Sequence, residues 1–200
     1  MITGSLLRVL KFLVHSVLFL YHPILRVKGG ENLPSEGSYL ICPNHSGMAD
    51  PIWVVLAMKT SFAPRIMAKK ELMRVPVLGS VLSKIGVFGV DRDGADVNAI
   101  KTGIRCLREG EPLLLFPEGT RAKNGVRPQP KGGAILLASR TNRPIVPVYL
   151  TAKRFPFSPI TCIFGEAYMP DFGGEKPTEA QLLEESRKLM DEIYRMGETQ

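Results

Sequence analysis

Six short apolar runs, at 39–42, 66–68, 87–90, 113–116, 145–150 and 160–164, recur along the chain with longer segments between them. Each run has the length of a strand, and the segments between them leave room for helices. Strands separated by helices settle into a largely parallel or mixed sheet with helices on its faces, so the pattern predicts an α/β fold. The clearest helix covers 95–109, with Val97, Ile100, Ile104 and Leu107 on one face and Gly110 as its stop. A second opens at Thr178, where Gln181 completes a capping box, and turns Leu182, Leu183, Leu189, Met190 and Ile193 inward. No repeat, low-complexity tract or long linker divides the chain. Its 200 residues therefore predict a single domain over 31–200, preceded by a segment of another kind over 1–30.

That first segment is strongly apolar, carries Arg8, Lys11, Arg26 and Lys28, and has no acid before Glu31. Its run without formal charge, 12–25, is fourteen residues long and contains His15, His22 and Pro23. A spanning helix wants about twenty apolar residues, so the run is short for crossing a bilayer. The first alanine is Ala49, which argues against a small-residue cleavage site and a signal peptide. An interfacial helix, with basic residues among anionic headgroups, fits better. Burial in the domain core is the alternative, and hydrophobicity nearly all round allows the segment to do both.

Charge is uneven in the rest of the chain. Net charge is +7, and between Gly119 and Gly165 there is no Asp or Glu but eight Lys and Arg. Such a stretch is either a solvated basic face or a surface for phosphate or anionic lipid. Nucleic acid is not the expected partner, since stacking aromatics and zinc-finger or RNP signatures are missing. Three cysteines, Cys42, Cys106 and Cys162, spaced about sixty residues apart, suit neither a disulfide framework nor a zinc site and read as buried thiols in a reducing compartment.

The chemistry concentrates where predicted strands end. After the first run comes Asn44-His45-Ser46-Gly47-Met48-Ala49-Asp50-Pro51. Asp50 followed by Pro51 reads as a helix N-cap with proline at the first helical position. On one continuous helix, residues five apart point about 140° away from each other, but in a loop that folds into a helix start His45 and Asp50 can meet. A carboxylate can cap an amide and also accept from an imidazole, which fixes the tautomer and leaves the other ring nitrogen as a general base. Three more stretches follow: Gly86-Val-Phe-Gly-Val-Asp-Arg-Asp-Gly94; Leu113-Leu-Leu-Phe-Pro-Glu-Gly-Thr-Arg121; and Pro144-Ile-Val-Pro-Val-Tyr-Leu150. Gly119 allows close backbone approach to a ligand, and an arginine grips phosphate with its fork of donors. Pro147 inside the last run marks an edge strand or an irregularity. There is no Gly-x-Ser-x-Gly elbow, P-loop or His-Glu-x-x-His motif.

Taken in this order, the four stretches resemble the sequence blocks of the glycerolipid acyltransferase family over roughly 44–150, and most of all the members that acylate 1-acylglycerol 3-phosphate. Two positions depart from the usual pattern: Gly47 where a serine is common, and Gly89 where an aromatic or proline is common. The resemblance implies acyl transfer from acyl-coenzyme A or acyl-carrier protein to the sn-2 hydroxyl of lysophosphatidic acid, giving phosphatidic acid. Another lysophospholipid or glycerol 3-phosphate is the alternative acceptor, and a lipid carrier without chemistry is the rival from another class. By the same resemblance His45 and Asp50 are the catalytic pair. Arg92, Glu118, Gly119, Thr120 and Arg121 would hold the glycerol phosphate, and Lys69 and Lys70 would contact the phosphate. It implies no metal and no cofactor, the thioester being a substrate, and a peripheral or monotopic place on the cytoplasmic face of a membrane.

Overall fold

The structure is a computed structural model that describes residues 24–60, 62–91, 96–122, 126–151 and 157–198. In chain order it contains β1 (Leu25–Lys28), β2 (Leu40–Pro43), α1 (Asp50–Ala57), β3 (Arg65–Lys69), a 3₁₀ turn (Lys70–Arg74), α2 (Leu78–Lys84) and β4 (Val87–Val90). Then follow α3 (Val97–Arg108), β5 (Leu113–Leu114), α4 (Gly133–Thr141), β6 (Ile145–Leu150), β7 (Ile160–Phe164) and α5 (Glu179–Glu198). Seven strands form one mixed sheet in the order β1-β7-β6-β2-β5-β3-β4. Every neighbouring pair is parallel except β6 and β7. The strands β2 to β6 therefore all finish at the same edge of the sheet, and β7 and β1 both start there.

Parallel strands covered on both faces are apolar on both. At β2, Tyr39 and Ile41 face one core with Trp53 and Val54 of α1, while Leu40 and Cys42 face the other with Leu107 of α3, Ile135 of α4 and Ile193 of α5. All four of these residues at β2 have no exposed surface. Helix α3 begins where Asp96 Oδ1 accepts from the Ala99 amide at 2.9 Å. The capping box before α5 forms as the sequence predicts, with Thr178 N donating to Gln181 Oε1 at 2.9 Å and Gln181 N to Thr178 Oγ1 at 3.3 Å. The three cysteines are buried and none is in a disulfide.

Two expectations change and one narrows. Leu25–Lys28 pair with β7, so the sheet begins inside the segment expected to end at residue 30, and the alternating burial of Leu25 and Val27 is that of a strand. Residues 1–23, where the rest of that expected membrane-associating helix falls, lie outside the described residues. Of the edge or irregularity expected at Pro147, the structure has the irregularity, because β6 lies between β7 and β2. The proline sits at the end of the antiparallel ladder, where only its carbonyl is used, by the Gly165 amide at 2.9 Å. Strand β5 is shorter than its apolar run. Leu115 N still donates to Ile41 O at 3.1 Å, after which Phe116 and Pro117 leave the ladder. Among the described residues no helix is long and apolar enough to cross a membrane.

Candidate active site

The end of β2 is pinned before its loop begins. The buried Asn44 side chain donates to Leu150 O at 2.9 Å and accepts from Leu150 N at 2.7 Å, acting as an extra rung onto β6. His45 comes next and is buried. Its Nδ1 lies 2.8 Å from Asp50 Oδ2, which also accepts the amides of Ser46 at 2.6 Å and Gly47 at 2.8 Å. Asp50 is the first residue of α1 rather than its cap, and its carboxylate ties up the turn before the helix. A carboxylate only accepts, so this contact calls for the proton on Nδ1, and in the neutral ring Nε2 then carries the lone pair. The imidazole also stacks on Phe116, with ring centroids 4.0 Å apart and planes 24° from parallel.

Glu118 is braced from two sides. Its Oε2 accepts the His45 amide at 2.6 Å, and its Oε1 accepts the Tyr194 hydroxyl at 2.7 Å. Only 2% of the residue is exposed, and burial pushes its carboxyl above the usual range, against the opposing pull of the Tyr194 hydroxyl and the His45 amide. Burial and the neighbouring Glu118 push the Tyr194 phenol up, so it stays a donor at neutral pH. The guanidinium of Arg127 lies 3.7 Å from the centre of the Tyr194 ring, a cation–π contact. Gly119 has φ 65°, and a Cβ there would meet the Lys131 side chain at 3.3 Å, so the turn after Glu118 suits glycine on both counts.

Those expected residues that are described are thus brought to one edge of the sheet. Ala122 N donates to His45 O at 2.8 Å, which holds the segment carrying the exposed Thr120 and Arg121 against the His45 loop. Lys69 and Lys70 stand at the end of β3, half-exposed, with Lys69 Nζ 3.5 Å from Glu71 Oε1 and Lys70 Nζ 3.7 Å from Asp91 Oδ2. Arg92 lies outside the described residues. The sequence reading missed Tyr194, Phe116 and Asn44. Asn44 and Phe116 adjoin motifs already singled out, whereas Tyr194 reaches the site from a helix 76 residues beyond its partner and leaves no local signal. A cavity of ≈ 340 Å³ opens beside Phe116, Pro117 and Gly119, walled by apolar side chains such as Met67, Ile100 and Leu182. Among the described residues no group of three His, Cys, Asp or Glu could hold a metal ion.

A family model described as Acyltransferase matches residues 24–151. A Bacillus subtilis protein named 1-acyl-sn-glycerol-3-phosphate acyltransferase is 38% identical over 130 residues, 62% of this chain and 64% of the relative. A protein of the same name from Helicobacter pylori is 32% identical over 173 residues, 78% of this chain and 71% of the relative. A third, from Borreliella burgdorferi, is matched over 50% of its length, so the chain spans about half to two thirds of several curated relatives. The crystal structure of the 1-acyl-sn-glycerophosphate (LPA) acyltransferase PlsC from Thermotoga maritima superposes with a TM-score of 0.65 at 23% identity, covering 90% of this chain and 76% of that one. This likeness carries the fold: a mixed sheet flanked by helices.

Proposed function

The chain belongs to the acyltransferase family, and on that footing we propose that it transfers a fatty acyl group from a thioester to the sn-2 hydroxyl of 1-acylglycerol 3-phosphate, giving phosphatidic acid. The observation that carries this reading is the buried pair in which Asp50 holds Nδ1 of His45 at 2.8 Å and leaves Nε2 as the base. Nε2 takes the hydroxyl proton as the oxygen attacks the thioester carbonyl carbon, and the Asp50 carboxylate stabilises the imidazolium that forms. The tetrahedral intermediate collapses with cleavage of the C–S bond, and the departing sulfur takes the proton back from the imidazolium. The step balances without a covalent acyl-enzyme and calls on no cofactor.

Around this base the remaining residues divide the work. Glu118 holds the His45 backbone through the amide hydrogen bond, and its oxygens are both occupied by protein donors. Arg121, with Arg92, Lys69 and Lys70, supplies positive charge for the acceptor's phosphate, which arginine can meet with two charge-assisted bonds. Gly119 and Thr120 shape the turn that presents Arg121. The apolar cavity that shares Phe116 with the imidazole stack suits an acyl chain. The donor is acyl-coenzyme A or acyl-carrier protein, both acidic and both suited to the basic stretch after Gly119. We place the domain on the cytoplasmic face of a membrane, where both lipids reside.

Product analysis by mass spectrometry tests the reading. Purified protein is offered lysophosphatidic acid, other lysophospholipids or glycerol 3-phosphate, each with either donor. Phosphatidic acid as the main product is the expected result. Turnover confined to another acceptor would reassign the substrate, and no turnover with any pair would leave a lipid-binding protein.

A further inference from the structure

The catalytic edge of the sheet carries most of the large apolar side chains that the fold leaves uncovered. Where the chain leaves β3 and turns back toward β4, Val75, Val77, Leu78 and Val81 are all exposed, Val77 by 79%. Val77 has φ 65° and ψ −55°, and Leu78 N donates to Pro76 O at 2.7 Å. This is a γ-turn of the rare hand, a conformation a β-branched residue seldom adopts. Its effect is to present Val77 to solvent at the tip of an apolar turn. Met48, 75% exposed, follows β2 at the same edge, and Phe157, 72% exposed, lies in the connection between β6 and β7, also at that edge. Among the exposed large apolar residues described, only Phe62, ahead of β3, and Met169, after β7, fall at the opposite edge.

Charge and chain path say what covers this surface. Between Lys69 and Lys84 there are four basic residues and one acid, with Arg74 and Lys84 exposed on either side of the apolar turn. Apolar tips flanked by lysine and arginine match the boundary between acyl chains and anionic headgroups. Strand β1 also starts at this edge, because it runs parallel to β7, so the apolar residues 1–23 join the described structure at Ile24 on the same edge, at the far end of the strand order from β3 and β4. We propose that residues 75–81 form a lipid-inserting wedge that seats the catalytic edge on an anionic membrane, separately from the N-terminal segment. The inference rests on the proposed lipid acceptor for its purpose, but its test reads binding without turnover.

The full chain and Val77→Asp/Leu78→Asp are sedimented with vesicles of phosphatidylcholine alone and of phosphatidylcholine with phosphatidylglycerol at three to one. Two exposed apolar groups replaced by carboxylates should lower partition onto the anionic vesicles by about tenfold or more. Phe62→Asp and Met169→Asp, at the opposite edge, should leave it unchanged. In a second measurement Val77→Cys and Phe62→Cys carry an environment-sensitive dye. Vesicles should shift the emission at position 77 and not at 62, and this reading holds even if the double aspartate variant fails to fold. Equal partition for parent and wedge variant, an equal loss for the opposite-edge variants, or an unshifted dye at 77 would each overturn the proposal. So would a parent dimer that the wedge variant dissolves while vesicle partition stays the same, since the face would then belong to a second copy. Absence of acyl transfer in the product analysis would remove the proposed reaction and leave the vesicle result standing.

Discussion

Asp50 Oδ2 accepts from three donors at once, the His45 ring and the amides of Ser46 and Gly47, and this sharing separates the two members of the pair. His45→Ala should lower turnover by about 10²–10⁴ and leave the circular dichroism spectrum like that of the parent, with a modest fall in the unfolding midpoint because the buried ring also bonds Asp50 and stacks on Phe116. Asp50→Asn should lower turnover and also cost on the order of 1–2 kcal/mol in denaturant unfolding, because the turn loses its anionic acceptor. Tyr194→Phe removes the donor to Glu118 Oε1 and should reduce kcat, by up to about 10², with the KM for the acceptor near the parent value, because a loosened base loses alignment before it loses substrate. An equal fall in stability without any change in kcat would make Tyr194 a packing residue only. Glu118 adds a pH dependence. Burial raises its folded carboxyl above the usual 4.5, so its contribution to stability is full below about 4.5 and declines as pH rises through the raised value. The stability difference between parent and Glu118→Gln, followed by thermal unfolding across that window, should shift in favour of the Gln variant as pH rises. His45, Asp50 and Glu118 are legible in the sequence because their motifs are local. Tyr194 is not, since nothing within α5 distinguishes a tyrosine that meets Glu118 from one that packs on the core.

At the scale of elements, the strands were legible wherever the chain buries them on both faces, as in β2, β6 and β7, because a continuous apolar run of that length suits a covered strand. Strand β1 was hidden by its neighbourhood. Leu25-Arg26-Val27-Lys28 alternates with period two as a half-covered edge strand should, but it directly follows an apolar segment that reads as a helix. Whether Pro147 marks an edge or an irregularity was not legible either, because strand order follows from long-range pairing and proline reports only on its own missing N–H. The boundary found for β1 changes what a truncation should do. Removing residues 1–23 should weaken binding to anionic vesicles and leave the unfolding midpoint near that of the full chain. Removing 1–28 also takes away β1, uncovers the edge of β7 and withdraws Leu25 and Val27 from the core. That loss should cost on the order of 2–4 kcal/mol and promote aggregation through the bared strand, which light scattering would detect. Equal stability of the two truncations would show that β1 contributes little to the fold.

For the molecule as a whole, the three thiols are distributed so as to report on cooperativity. Cys42 lies in one core, Cys162 in the other, and Cys106 on α3, all buried. Burial also pushes the Cys42 thiol up, so it reacts slowly even when reached. With a thiol reagent in increasing denaturant, the three should become reactive over the same transition if both faces of the sheet open together. Early release of Cys106 alone would instead identify α3 as a locally unfolding unit. The pairing of β1 with β7 bears on how such a chain is made. Leu25 meets Ile160, a sequence separation that places this fold among those rich in distant contacts, which form slowly. During synthesis the first strand of the sheet has no partner until the last has left the ribosome, and Tyr194 arrives later still. The His45 loop is translated early yet gains its brace last, so a nascent chain carries His45 and Asp50 long before Tyr194 is there to hold Glu118 against them.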